Sequence, residues 1–211
     1  MASSTAVEQT AWSEISTAIA AAPYPVMVLP VDTQAAAACL ARLGMTTSSW
    51  LGALVANTGG LLIDHGWLRA LGSGHAHLAD VVSAADNEHQ RLIVGHDVLG
   101  GRFGWFPARP DAAATVHYFG PDTLHWQDLD LGYAAWLHAF LGGAAANFYD
   151  TLRWPGWQDE TTPLQPDQGI SAWPPPWSRE GADIGAASRR PVPIAELLTL
   201  YADAGHQLRN E

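Results

Sequence analysis

Two acid–imidazole pairs stand beside glycines in this chain, and they carry its most reactive chemistry. Asp64-His65 lies in NTGGLLIDHGWLRALGSGHAH (57–77), and His96-Asp97 lies in VGHDVLGG (94–101). A carboxylate next to an imidazole can form the base-and-orienter unit of proton-transfer catalysis. His75 and His77 form a chelating pair on an extended segment, to which Asp64-His65 and His96-Asp97 can add ligands. No supporting motif accompanies either chemistry. HExxH is absent, no Cys/His set has zinc spacing, and no GxSxG marks a nucleophilic serine. No metal and no cofactor is therefore expected.

A plainer role for the same residues is to turn the chain. In that reading Asp64-His65-Gly66 joins LLI to WLRAL, with Asp64 accepting turn amides and Gly66 relieving backbone strain. Asp97 has the same place in the turn DVLGG. Convergence of Asp64, His65, His96 and Asp97 in a Trp-lined cleft favours an enzyme or a small-ligand-binding protein. Bonds from Asp64 and Asp97 to turn amides make them structural instead.

Other candidates are weaker. LGSG (71–74) and LGG (99–101) follow strands, yet neither continues as GxGxxG. Asp128 with Asp130, or Asp159 with Glu160, can be read as glycosidase pairs, but acids ahead of a helix are favoured by its dipole alone. Cys39 is the single cysteine, in AAAACLARL, and reads as a small buried hydrophobe. It excludes an intramolecular disulfide and suits a reducing compartment.

Ten tryptophans are the chain's compositional anomaly. Trp12, Trp50, Trp126 and Trp136 occupy apolar-periodic positions and are expected inside. Trp67 and Trp105 lie on strands whose alternation turns one of each neighbouring pair outward. Trp154, Trp157, Trp173 and Trp177 form a loop group that is either a packed lid or an exposed binding rim. Indole anchors of this kind are enriched at binding hot spots.

Charge narrows the function classes. The formal charge is -11, all ten basic residues are Arg, and Lys is absent. Schiff-base chemistry and a P-loop lysine are thereby excluded. An acidic field disfavours nucleic acid and suits a basic protein partner. The N-terminus has no basic n-region, and the longest apolar run (18–29) is too short to span a bilayer. A cytoplasmic protein without a membrane segment is expected.

The elements that must position these residues run helix, strand, helix. Trp12, Ile15 and Ile19 predict a helix over 7–21, followed by a strand at 26–29. Asp32 or Thr33 caps a second helix closed by Gly44, and Ser48 or Ser49 caps a third that stops at Gly59-Gly60. Strands are predicted at 61–63, 67–71, 91–95, 102–106, 115–119 and 124–126, with a short helix at 78–86. Helices follow at 131–141 and 145–152. A long irregular Trp- and Pro-rich section from 154 to about 193 ends in a helix carrying Ile194, Leu197, Leu198 and Tyr201 inward. The class is α+β, a single domain over 1–211 with a central antiparallel sheet of about six strands. The segment 154–211 is a Trp/Pro-rich extension ending in the terminal helix.

NTGGLLIDHGWLRALGSGH (57–75), HDVLGGRFGWF (96–106) and VHYFGPDTLHWQDLDLGYAAWLHAFL (116–141) resemble an uncharacterised bacterial family, domain of unknown function twenty-six twenty-five. FYDTLRWPGW (148–157), DQGISAWPPPWSREG (167–181) and SRRPVPIAELL (188–198) extend the resemblance over nearly the whole chain. More distantly, the order of motifs is similar to the SUKH superfamily of α+β binding modules. Its marks are a glycine pair after an N-terminal helix, a D-x-x-G-G turn before an aromatic strand, and a Trp strand leading into a helix. Many bacterial members of that group neutralise toxins. The resemblance implies a non-enzymatic protein-binding module, including an immunity-type inhibitor of a basic toxin, and carries no catalytic residue. Residues 154–211 exceed the usual core of that group. The expected binding set is then Trp67, Trp105, Trp154, Trp157, Trp173, Trp177, Asp64, His65 and Asp97.

Overall fold

Seven strands lie side by side in chain order, each antiparallel to the next: β1 (Val26–Leu29), β2 (Gly60–Ile63), β3 (Leu68–Leu71), β4 (Leu92–Asp97), β5 (Arg102–Pro107), β6 (Ala114–Phe119) and β7 (Trp126–Asp128). The computed structural model describes residues 2–209, with side chains from Ala11 to Leu208. Short turns suffice for most of these links, as antiparallel neighbours allow. The β1–β2 link is longer and holds two helices, α2 (Thr33–Leu43) and α3 (Trp50–Asn57). Asp32 caps α2 by accepting the Gln34 and Ala35 amides, and Gly44 closes it at φ 62°. Ser49 caps α3 by accepting the Gly52 amide.

Strand periodicity gives this sheet two different faces. On the first, Phe103 packs against Trp136 and Phe140 of α4 (Tyr133–Leu141) and against Phe148 of α5 (Ala145–Phe148). Helices α1 (Ala2–Ala20) and α3 lie against α4 in the same layer. The principal core forms here, with Trp136, Leu54, Leu61 and Ile63 fully buried.

The second face is read along one row of directly paired residues, Met27, Leu62, Arg69, His96, Arg102, Phe119 and Trp126. It is covered at one end by the hairpin β8 (Gln168–Trp173) and β9 (Ser188–Pro193), followed by α7 (Ile194–Arg209). Phe119 and Leu124 join Val192, Ile194, Leu197 and Tyr201 there in a second apolar cluster. The β4–β5 register shifts between Ile93 and Gly95, and this bulge fixes which side chains of β4 share a face with Arg102. Gly104 has a steric reason: a Cβ on it would meet the Trp126 ring at 3.0 Å.

The α+β class and the central antiparallel sheet agree with expectation, and the sheet has seven strands. Several segments differ in detail. Residues 78–86 form turns instead of a helix, organised by Asp80, whose Oδ1 accepts the Val82 and Ser83 amides. The helix expected over 145–152 ends at Phe148. The section after 154 is not irregular throughout, since it holds α6 (Trp157–Thr161) as well as the β8–β9 hairpin. In α7, Ile194, Leu197 and Tyr201 are buried, and Leu198 is half-buried. Among the described residues no helix is long and apolar enough to cross a membrane.

Candidate functional site

The two acid–histidine pairs are placed apart in role. Asp64, His65 and Gly66 turn β2 into β3 with φ of 53°, 57° and 74°, and the Trp67 amide donates to the Asp64 carbonyl at 3.0 Å. The turn is therefore real. Its carboxylate, however, accepts from Arg153 Nη2 at 2.6 Å, where turn amides were expected. The reason is burial: a carboxylate withdrawn from water needs a charged partner, and Arg153 supplies one. That guanidinium also lies over Trp157 at 4.0 Å and Trp67 at 4.9 Å. His65 meets Thr162 Oγ1 at 3.3 Å and the edge of Trp157.

Asp97 is a turn residue as expected. The Leu99 and Gly101 amides each donate to its Oδ1 at 2.9 Å, and the Tyr118 hydroxyl donates to Oδ2 at 2.6 Å. Burial pushes its carboxyl above the usual range, against the pull of these donors and of the Arg69 charge. No hydrogen bond among the described residues joins any two of Asp64, His65, His96 and Asp97. The arrangement does not assemble them as one catalytic unit.

Most of the expected indole surface is buried. Trp67, Trp154 and Trp157 pack on one another through Trp67, with ring centroids 5.7 and 5.1 Å apart. Trp67 precedes β3 and points inward, so the outward turn expected from alternation does not apply to it. Trp154 donates to Glu160 Oε1 at 2.8 Å and lies under Arg189. Trp105 is half-buried and donates to the Ala114 carbonyl, and Trp177 packs on Tyr201. Only Trp173 of the loop group is open to solvent, at 70% exposure. A Trp-walled cleft of about 660 Å³ does exist between Trp50 and Trp105, but none of the four polar candidates lines it.

Cys39 is buried, and desolvation followed by the Asp80 carboxylate pushes its thiol up to about 11. That suits a hydrophobe and not a thiolate nucleophile. Asp128 accepts the Asp130 amide at 2.9 Å, while α4 has no side-chain cap. Among the described residues no group of three or more His, Cys, Asp or Glu is placed to hold a metal ion.

Buried polar atoms without a partner occur in the principal core, on Trp67, Tyr133, Trp136 and Tyr149, and also in one row on the second sheet face. Arg69, His96 and Arg102 are consecutive partners across β3, β4 and β5. Arg69 is 1% exposed; its Nη2 donates to the Gln168 carbonyl at 3.0 Å, while Nε and Nη1 meet nothing. His96 is 6% exposed and its Nδ1 has no partner. The Nε of Arg102 is likewise buried and unpartnered, and its guanidinium rests over Phe119 at 4.9 Å and Trp126 at 5.5 Å. Burial lowers the pKa of Arg69 to about 10 and holds the His96 ring, also repelled by Arg69, down to about 3. At neutral pH the row is thus Arg⁺, neutral His, Arg⁺.

A cleft of about 590 Å³ opens over the His96 and Arg102 members of this row, between the sheet and the first turns of α7. Its walls are mainly hydrocarbon, from Leu71, Leu78, Ile93, Ile194 and Leu198, with His96 and Arg102 at the floor. A second hollow of about 580 Å³ on the other side of Arg102 is lined by Arg91, His89, His125 and His206. Asp86 and Arg102 border both. In the first cleft Asp86 is engaged with His89 and Arg91 at 3.0 and 3.5 Å, and Asp167 with His77 at 3.2 Å, while Glu88 of the second hollow is in no ion pair among the described residues. His96 is a candidate by its place beside Asp97 in the sequence; Arg69 and Arg102 carry no such local signal, because only strand register aligns them.

Comparison with known proteins places the chain in a family. It matches the model described as "Protein of unknown function DUF2625" over residues 1–197, and it belongs to that family. It is similar to the putative uncharacterized protein YbfG of Escherichia coli K12, 34% identical over 196 residues, covering 90% of this chain and 89% of that protein. An uncharacterized protein of Haemophilus influenzae Rd is 32% identical over 174 residues, covering 78% of this chain and 76% of its own. No solved structure matches the chain.

Proposed function

We propose that this member of the DUF2625 family is a binding protein whose ligand occupies the cleft between the second sheet face and α7. The observation that carries the reading is the unpartnered row at its floor. Buried polar atoms are normally hydrogen-bonded, and an unpaired one beside a cavity calls for a water, an ion or a ligand. His96 Nδ1 and Arg102 Nε are both unsatisfied beside a hydrocarbon-walled hollow of ligand size. Binding is favoured over catalysis because Asp64 and Asp97, the acids that would serve as bases, are committed to Arg153 and to a turn.

The experiment is native mass spectrometry of the untagged protein from its own host, beside Ala195→Trp. Ala195 lies on the exposed side of α7 and lines the cleft, so the indole fills the space without disturbing the core. A bound small molecule in the native chain, absent from the variant, is the expected result. A molecule retained by both proteins, or by neither, counts against the reading.

A protein partner is the second reading, and Trp173 favours it. Its exposed indole stands next to Pro174 and Pro175 on a chain of charge -11, an anchor suited to a basic protein. An immunity-type inhibitor of a toxin, SUKH-like in its order of motifs and cytoplasmic, belongs to this reading. Affinity capture from the host with the native chain and with Trp173→Ala tests it: a basic protein retained by the first and lost by the second supports it, and equal capture opposes it.

A further inference from the structure

We infer that the ligand of the cleft is a monoanionic organic acid with an apolar body, its carboxylate received by Arg102 and His96. The inference deepens the binding reading proposed above and rests on it. Three observations carry it.

First, the charges of the cleft are unevenly satisfied. Of the two acids on its wall, Asp86 is paired with Arg91 and His89, and Asp167 meets His77 Nδ1 at 3.2 Å. Arg102 has no ion pair and no side-chain hydrogen bond among the described residues, and its Nε is buried. Arg102 is half-buried with its Nε shut off from solvent and unpaired, and an incoming anion supplies the missing acceptor. Second, the acceptor is a carboxylate by shape and charge. The planar fork of Arg matches a carboxylate in bidentate fashion. His96 adds a donor in its Nδ1–H tautomer, with Arg69 as the next charge along the row. Asp86 beside Arg102 disfavours a dianion at the same place. Third, the remaining wall is mainly hydrocarbon from Leu71, Leu78, Ile93, Ile194 and Leu198, with His75 and His77 as its other polar members, which favours an apolar body over a sugar. The volume of about 590 Å³ lies within the range of small-molecule sites.

Isothermal titration calorimetry of the intact chain with sodium octanoate and with 1-octanol separates head from tail without any variant. We expect saturable 1:1 binding of octanoate, with 1-octanol at least tenfold weaker. Arg102→Met brings octanoate to the level of octanol, and Ala195→Trp removes both. Equal affinities for octanoate and octanol in the native chain overturn the carboxylate while leaving the cleft as a binding site. Octanoate binding that survives Ala195→Trp overturns both readings, as does failure of both probes to bind a native chain that also carries no ligand from its host. Should Arg102→Met not fold, the octanoate-to-octanol ratio of the native protein decides the question.

Discussion

His96 and Arg102 face each other directly across the β4–β5 ladder, and no ion pair among the described residues includes either. On the next strand Arg69 completes a basic row that the rest of the fold leaves largely unanswered. Sheets normally place such groups at the solvent, but the C-terminal hairpin and α7 close over this one. The fold thereby keeps positive charge under a roof, beside apolar walls.

A pH signature follows from the middle member of the row. Burial first, then the Arg69 charge, depresses the His96 ring from an ordinary 6.5 to about 3. Between those values the unfolded chain takes a proton that the folded chain refuses. The His96 contribution to stability is therefore full above about pH 6.5 and declines as pH falls through the window, by at most about 1.4 kcal/mol per pH unit, while Asp97, raised by burial, acts in the opposite sense. Asp80, Asp86 and Asp128, held below the usual carboxylate range, lose their contributions only at lower pH. We expect the urea midpoint of the native chain to drop from pH 7.5 to 5.0, and the drop to shrink in His96→Leu. Equal drops in the two proteins would show that the ring is not held neutral.

Arg153 is the clamp of the β2–β3 turn. Its loss leaves the buried Asp64 carboxylate alone on a backbone already at φ 53°. We expect Arg153→Met to cost about 3–5 kcal/mol of stability, the usual scale for breaking a buried pair. Adding Asp64→Asn should recover part of that loss, because the orphaned charge is gone. Urea denaturation followed by tryptophan emission reads both effects, since Trp67 and Trp157 touch the same guanidinium. A cost below about 1 kcal/mol, the range of surface pairs, contradicts this role.

Much of this architecture was legible from the residues. Alternation and turn chemistry locate β1 to β6, and the caps of α2 and α3 fall at Asp32 and Ser49, in each case one of the two residues the sequence offers. The last strand lies slightly later than expected because Leu124 takes φ 53° in the turn before it. The β8–β9 hairpin carries little strand signal in the sequence because Pro191 and Pro193, poor strand residues, sit in β9. The partner of Asp64 was hidden for a different reason: Arg153 is 89 residues away, and no local pattern links them. Alignment of Arg69, His96 and Arg102 likewise depends on register and on a bulge, which composition does not encode.

Gly101 is a residue whose size decides a network. A Cβ there would collide with the Asp97 carboxylate and the Tyr118 hydroxyl, which are hydrogen-bonded at 2.6 Å. Gly101→Ala is expected to destabilise by more than about 2 kcal/mol, because it displaces acceptor and donor together. Tyr118→Phe removes one of three donors to Asp97 and should cost about 1–3 kcal/mol. Thermal unfolding of the two variants checks the order, and a Gly101→Ala protein as stable as the native chain contradicts the packing described.

The central claim is that the cleft under α7 receives an anion at Arg102 and His96. Its most direct measurement is a long-range ¹H–¹⁵N NMR titration of the His96 imidazole and the Arg102 Nε with octanoate. The account predicts saturable shifts at both groups, with the Arg153 Nε beneath Trp157 unmoved. Shifts confined to the Trp173 indole, or none at His96 and Arg102 while octanoate binds, would contradict it.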